Sequence, residues 1–104
     1  MKRFEVWLVT KNPEYGRVVD NLGLCTIVTP NELNNLPSLL VAPMTTSHQE
    51  IPSRVACNFE GAKGFIMTDQ IRVVEKYCFI KKLGELESEV QVNLCDCLQE
   101  FFAY

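Results

Sequence analysis

The sequence predicts a mainly β domain of the α+β class, built as a strongly bent antiparallel sheet or small barrel with one C-terminal helix. Three observations predict it. Six or seven short segments carry the β-branched and aromatic content that strands favour. These segments follow one another without the strand–helix alternation that a parallel sheet requires. One sustained helical pattern runs from Ser88 to about Phe102.

Phe4-Glu5-Val6-Trp7-Leu8-Val9 reads as the first strand, with Trp7 in the core. Lys11-Asn12-Pro13-Glu14-Tyr15-Gly16 is rich in turn residues and opens a long loop that reaches Gly23. Leu24 to Thr29 is an apolar strand. Thr29 then reads as an N-cap, with Pro30 in the first position of a short helix to Leu36 and Pro37 as its stop. Ser38 to Met44 is the third strand, and its run Leu39-Leu40-Val41-Ala42 predicts burial on both faces. Thr45 to Glu50 is a polar loop. Arg54 to Phe59 alternates as a strand does. Glu60 to Gly64 reads as a turn leading into Phe65 to Thr68, and Ile71 to Val74 and Ile80 to Leu83 complete the strands.

Ser88-Glu89-Val90-Gln91 has the form of a capping box, with Ser88 as N-cap. At about 100° per residue, Val90, Leu94, Cys97, Leu98 and Phe101 share one helix face. Val92, Cys95 and Phe102 lie on a second apolar face. One face packs on the domain; a second calls for a partner or a concave sheet, so a homodimer is expected.

A chain of 104 residues with 47% hydrophobic content is one domain, residues 1–104. Its formal net charge of −3 argues against non-specific nucleic-acid binding and confines any such site to a local patch. The five cysteines are odd in number and no secretory segment opens the chain, which predicts a reduced, cytoplasmic protein. Cys95-Asp96-Cys97 has no second pair to complete a zinc site, so these are expected to be core or interface residues, with no metal and no cofactor. No apolar run approaches membrane-spanning length.

Four segments together resemble one family. They are Glu5-Val6-Trp7-Leu8-Val9 with Pro13 and Gly16; Thr26-Ile27-Val28-Thr29-Pro30-Asn31-Glu32-Leu33-Asn34; Val41-Ala42-Pro43-Met44-Thr45-Thr46; and Thr68-Asp69-Gln70-Ile71-Arg72-Val73-Val74-Glu75-Lys76. Their order and spacing are similar to those of MazF/PemK toxins of type II toxin–antitoxin systems, as is Leu83-Gly84-Glu85-Leu86 followed by a helix. The resemblance implies an SH3-like barrel, a homodimer, and an antitoxin peptide as partner. It also implies a sequence-specific endoribonuclease that cuts single-stranded RNA without metal. In that reaction the ribose 2′-hydroxyl attacks the adjacent phosphate, which needs a base, an acid and donors for the phosphorane charge.

The family's first loop reads Gly-x-Glu, four residues, then Arg-Pro, and that arginine serves catalysis. Here Gly16 is kept, but Val18, Gly23 and Leu24 stand where the glutamate, arginine and proline belong. The family's catalytic threonine is kept as Thr45. A hydroxyl donates one hydrogen bond and does not replace a permanent cation. Arg17 and His48 are the candidate substitutes for charge or proton transfer: Kid-type toxins have a histidine at the offset of Arg17, and a histidine is the side-chain type suited to acid or base work near neutral pH. Lys11, Arg54, Asp69, Gln70 and Arg72 are candidate RNA contacts. Kid-type members use an aspartate at the position of Asp69, but the arginine two positions before it is Met67 here.

Each of these residues also has a plainer reading. Thr45 suits a strand end, His48 and Arg17 suit solvated loops, Asp69 can bond backbone amides, and Arg54 and Arg72 can be the wet sides of their strands. The rival functional readings are an inactive MazF-like protein that binds RNA or antitoxin peptide, and a CcdB-like gyrase inhibitor. The latter family needs a Trp-Gly-Ile ending, whereas this chain ends Phe101-Phe102-Ala103-Tyr104.

Overall fold

The computed structural model describes residues 1–10, 21–46 and 54–103. Among these residues the strands are β1 (Glu5–Thr10), β2 (Asn21–Ile27), β3 (Ser38–Thr45), β4 (Arg54–Phe59), β5 (Ala62–Met67), β6 (Arg72–Glu75) and β7 (Phe79–Glu85), followed by helix α1 (Ser88–Phe102). Every strand pair is antiparallel. The order is β4-β5-β3-β2-β1-β7, with β6 also pairing β3. The sheet curls around two apolar clusters, as the bent-sheet expectation requires.

The first cluster includes Val6, Ala42, Val55, Ile66, Leu86, Val90 and Leu94, and it lies under α1. The second includes Val9, Cys25, Ile27, Leu39, Val41 and Phe79. One face of α1 buries Val90 and Leu94, with Cys97 and Leu98 packed at its margin. The second apolar face is open: Val92 is 59% and Phe102 72% exposed.

Several local expectations change. Thr29 caps no helix. Its Oγ1 accepts the Leu40 N–H at 2.7 Å and donates to the Leu40 carbonyl, so the hydroxyl serves β3 instead. The short helix is a single 3₁₀ turn, Asn31–Leu33, with Pro30 in the cap position. Ser88 is likewise inside α1, not its cap. Glu87 is the cap residue and makes no side-chain bond, while the Gln91 amide donates to the Leu86 carbonyl at 2.8 Å.

β2 begins at Asn21, before the expected end of the loop, because Gly23 pairs with Val9 in the β1 ladder. β2 also stops short of Thr29. The β4–β5 turn is only Glu60-Gly61, and both residues have positive φ (51° and 80°). That is the backbone of a two-residue mirror-image turn, whose twist matches the flanking strands. β5 therefore starts at Ala62. Trp7 is half-buried and only flanks the second cluster. Its Nε1–H donates to Glu5 Oε1 at 2.9 Å, which places the indole's polar edge on a buried carboxylate. Within β3, Leu39, Val41 and Ala42 are buried as expected, Pro43 is buried too, but Leu40 is 41% exposed.

Candidate functional site

Thr45 closes β3 and sits opposite Phe65 of β5. It is half-buried. Its position depends on a neighbouring glycine: a Cβ on Gly64 would lie 2.4 Å from the Thr45 carbonyl oxygen, closer than any side chain can come. Gly64 thus lets β5 approach the end of β3. The sequence reading put Gly64 in a turn; the signal that marks it is an isolated glycine inside an alternating strand. A small cleft beside Thr45 is lined by Leu24, Met44, Cys57, Phe59 and Lys63. Leu24 holds the proline position of the first-loop motif, so that last position of the motif and Thr45 line one cleft.

The register extends the site across the sheet. Thr45, Phe65 and Ala56 form one row over β3, β5 and β4. Directly opposed residues in an antiparallel ladder point to the same side. This row and its neighbour pair Asn58 with Lys63 face outward, Arg54 with Met67 continues the row with the Arg54 side chain only 12% exposed, and Val55, Cys57 and Ile66 face the core. The result is a shallow surface with an aromatic ring, an amide and two cations near Thr45. Sequence reasoning did not single out Phe65, Asn58 or Lys63; the alternation of β4 and β5 carries the signal.

Arg54 and Asp69 come together at 3.5 Å (Nε to Oδ1). Arg54 Nε is buried and has no hydrogen-bond partner among the described residues. Asp69 and the half-buried Gln70 lie in the 3₁₀ turn Thr68–Gln70 that follows β5. Arg72 stands apart. It pairs with Val41, four positions before Thr45 along β3, and lines a cleft of about 250 Å³ with Thr10, Val73 and Tyr77. Lys11, Arg17 and His48 lie outside the described residues.

The cysteines near the site are poor nucleophiles. Burial pushes the Cys25 thiol up to about 11, against a smaller pull from the Arg72 charge. Burial also raises Cys57, which lines the cleft beside Thr45. Thiols held above their ordinary value stay protonated near neutral pH. Among the described residues, no group of three His, Cys, Asp or Glu side chains is placed to hold a metal ion.

The model of the PemK-like, MazF-like toxins of type II toxin–antitoxin systems matches residues 2–102. The chain belongs to this family. Solved structures of similar fold include a mycobacterial endoribonuclease in complex with its cognate antitoxin, at 20% identity and TM-score 0.81 over 96% of this chain and 92% of that one. MazF from Deinococcus radiodurans matches at 15% identity and TM-score 0.78, over 100% of this chain and 97% of that one. The MazE–MazF complex of the same organism matches at 13% and 0.79, over 99% and 95%. No curated protein sequence matches. These likenesses are of fold. In this PemK/MazF-like chain the arginine position of the first-loop motif, Gly23, has φ of +80° with open space around it. A side chain there has room but would hold an unfavourable left-handed backbone, a cost of roughly 1–2 kcal/mol.

Proposed function

We propose that the protein is a toxin-type, sequence-specific endoribonuclease that cuts single-stranded RNA by 2′-hydroxyl attack, with no metal and with catalysis weaker than the family's norm. Thr45 donates its hydroxyl to the scissile phosphate, and Arg17 or His48 supplies charge and proton transfer. RNA lies on the outward face of β3, β5 and β4, where Phe65 offers a stacking surface and Lys63, with Arg54 at the margin, offers positive charge. Asp69 orients Arg54, and Lys11, Gln70 and Arg72 extend the contact. The observation that carries this reading is the meeting of Thr45 with the end of the first-loop motif at Leu24, in a chain of this family.

The single domain acts as a homodimer in the reducing cytoplasm. The exposed Val92, Phe101 and Phe102 of α1 and the five free cysteines support that placement. No helix among the described residues is long and apolar enough to cross a membrane. An antitoxin peptide is the expected partner, occupying the RNA surface.

The test is cleavage of a long single-stranded RNA in EDTA, with end mapping. The expected result is site-specific cuts with 5′-hydroxyl ends, reduced about 10²–10³-fold in Thr45→Ala. Arg17→Ala and His48→Ala then identify the substitute for the family arginine. A second reading is favoured by Gly23: a protein that keeps RNA or antitoxin binding and has lost cleavage. Absence of cuts above the Thr45→Ala background, from a folded dimer, would overturn the nuclease reading and leave the binding protein as the working hypothesis.

A further inference from the structure

β4 is the last strand of the sheet among the described residues; it pairs with β5 and nothing else. Half of its backbone N–H and C=O groups therefore point outward along a free edge, and no hydrogen bond of the described residues reaches them. Natural sheets cover or blunt such edges, because an open one recruits another strand. Here α1 flanks the edge without covering it: it packs Val90 and Leu94 beneath the sheet and leaves a trough beside β4. The trough has two stretches, of about 510 and 350 Å³, which share Ala56 and Asn93.

The two walls differ in charge. The helix wall is the stripe Glu89, Asn93, Asp96 and Glu100, spaced four, three and four residues apart so that it runs along one side of α1. Glu87 adds a further carboxylate at the upper end. On the strand wall stand Lys63 and Arg54, and Arg54 is already engaged by Asp69. Helix stability does not account for the lower carboxylates. Asp96 and Glu100 sit in the last turns of α1, where no basic residue offsets them and the helix dipole disfavours negative charge.

We propose that this trough docks an extended, lysine- or arginine-rich segment of a partner protein, which adds as a strand to the edge of β4 and turns alternate basic side chains toward the stripe. Main-chain bonds to the edge give affinity, and the period-two placement of cations gives selectivity. β4 spans roughly 20 Å at strand rise, enough for a segment of about six residues. The trough shares Ala56, Lys63 and Phe65 with the outward face, so a docked segment competes with RNA there, and the four carboxylates of the helix wall favour a basic segment over phosphate.

The experiment uses the full chain and a synthetic seven-residue peptide of alternating lysine and valine, with its glutamate counterpart and a form methylated at alternate backbone nitrogens. Binding of the lysine peptide, weakening with salt and falling about tenfold or more in the triple variant Glu89→Lys/Asp96→Lys/Glu100→Lys, supports the proposal. The variant's circular dichroism should match the parent's. Slowed amide exchange in β4 on peptide addition is the second expected sign. Equal binding of lysine and glutamate peptides, or unchanged binding after methylation, overturns it. So does protection of the β4 amides in the peptide-free dimer, which would assign the edge to a second copy, or protection by single-stranded RNA, which would assign it to nucleic acid.

Discussion

The two ends of β3 share one backbone and differ in what surrounds them. Ser38–Val41 pairs with β6, and its inward residues Leu39 and Val41 are almost wholly buried in the second cluster. Met44 and Thr45 pair with β5, and Thr45 is only half-buried, beside a cleft and an outward-facing surface. The first end holds the sheet; the second presents a hydroxyl. A strand fixed firmly at one end places a side chain at the other without a loop's conformational cost, which suits the role proposed for Thr45.

The largest expected effect breaks the first end alone. Leu39→Ala removes a side chain that is 1% exposed, so urea unfolding should show a loss of about 2–5 kcal/mol. RNA cleavage per folded molecule should stay near the parent's. An equal fall in both would mean that the two ends are not separable. Gly64→Ala strikes the second end. The added Cβ meets the Thr45 backbone carbonyl oxygen at 2.4 Å, so β5 or Thr45 must move. Stability should fall by about 1–3 kcal/mol, and cleavage should fall further than that stability loss predicts. Parental activity in this variant would remove Thr45 from the site.

The first end was the more legible in the sequence. The apolar run from Leu39 to Ala42, the alternation of β4 and the periodicity of α1 each report burial, and burial is what composition encodes best. Thr29 and Ser88 have side chains that suit helix caps, yet the Leu40 backbone claims the first and the chain entry at Glu87 displaces the second. In the proposed site, Thr45 and Asp69 are the positions that a motif names. Phe65, Asn58 and Lys63 are ordinary strand residues until register aligns them with Thr45. Gly64 looked like a turn residue because its role is set by a strand nineteen positions earlier in the chain.

A pH experiment sharpens the comparison at β1, which anchors the scaffold. Burial would raise the Glu5 carboxyl, but hydrogen bonds from the Lys2 backbone, Trp7 and Lys82, together with the Lys82 charge, outweigh it and hold the group below its ordinary 4.5. A carboxyl lowered on folding contributes stability that is present above 4.5 and is lost as pH falls through its folded value. Lys82 is raised, chiefly by its hydrogen bond to Glu5, so its share persists below 10.5 and fades as pH rises past its folded value. Melting curves from pH 7 to pH 2 should show Glu5→Gln less stable than the parent near neutrality and converging with it in acid. Parallel curves across the range would refute this role.

The smallest effect tests the middle of the sheet, where the two ends meet. Thr26 sits opposite Ala42 and Val6, fully buried, and its Oγ1 has no hydrogen-bond partner among the described residues. A buried hydroxyl without a partner has lost its water and gained nothing in return. Thr26→Val keeps the shape and the β-branched preference for a strand while removing that cost. Stability should rise by about 1 kcal/mol, with RNA cleavage unchanged, because the middle of β2 supports both ends of β3 but touches neither the cleft nor the outward face. A fall in stability would show that the hydroxyl is satisfied after all. A change in cleavage at constant stability would extend the site inward from Thr45 along the β2–β3 ladder.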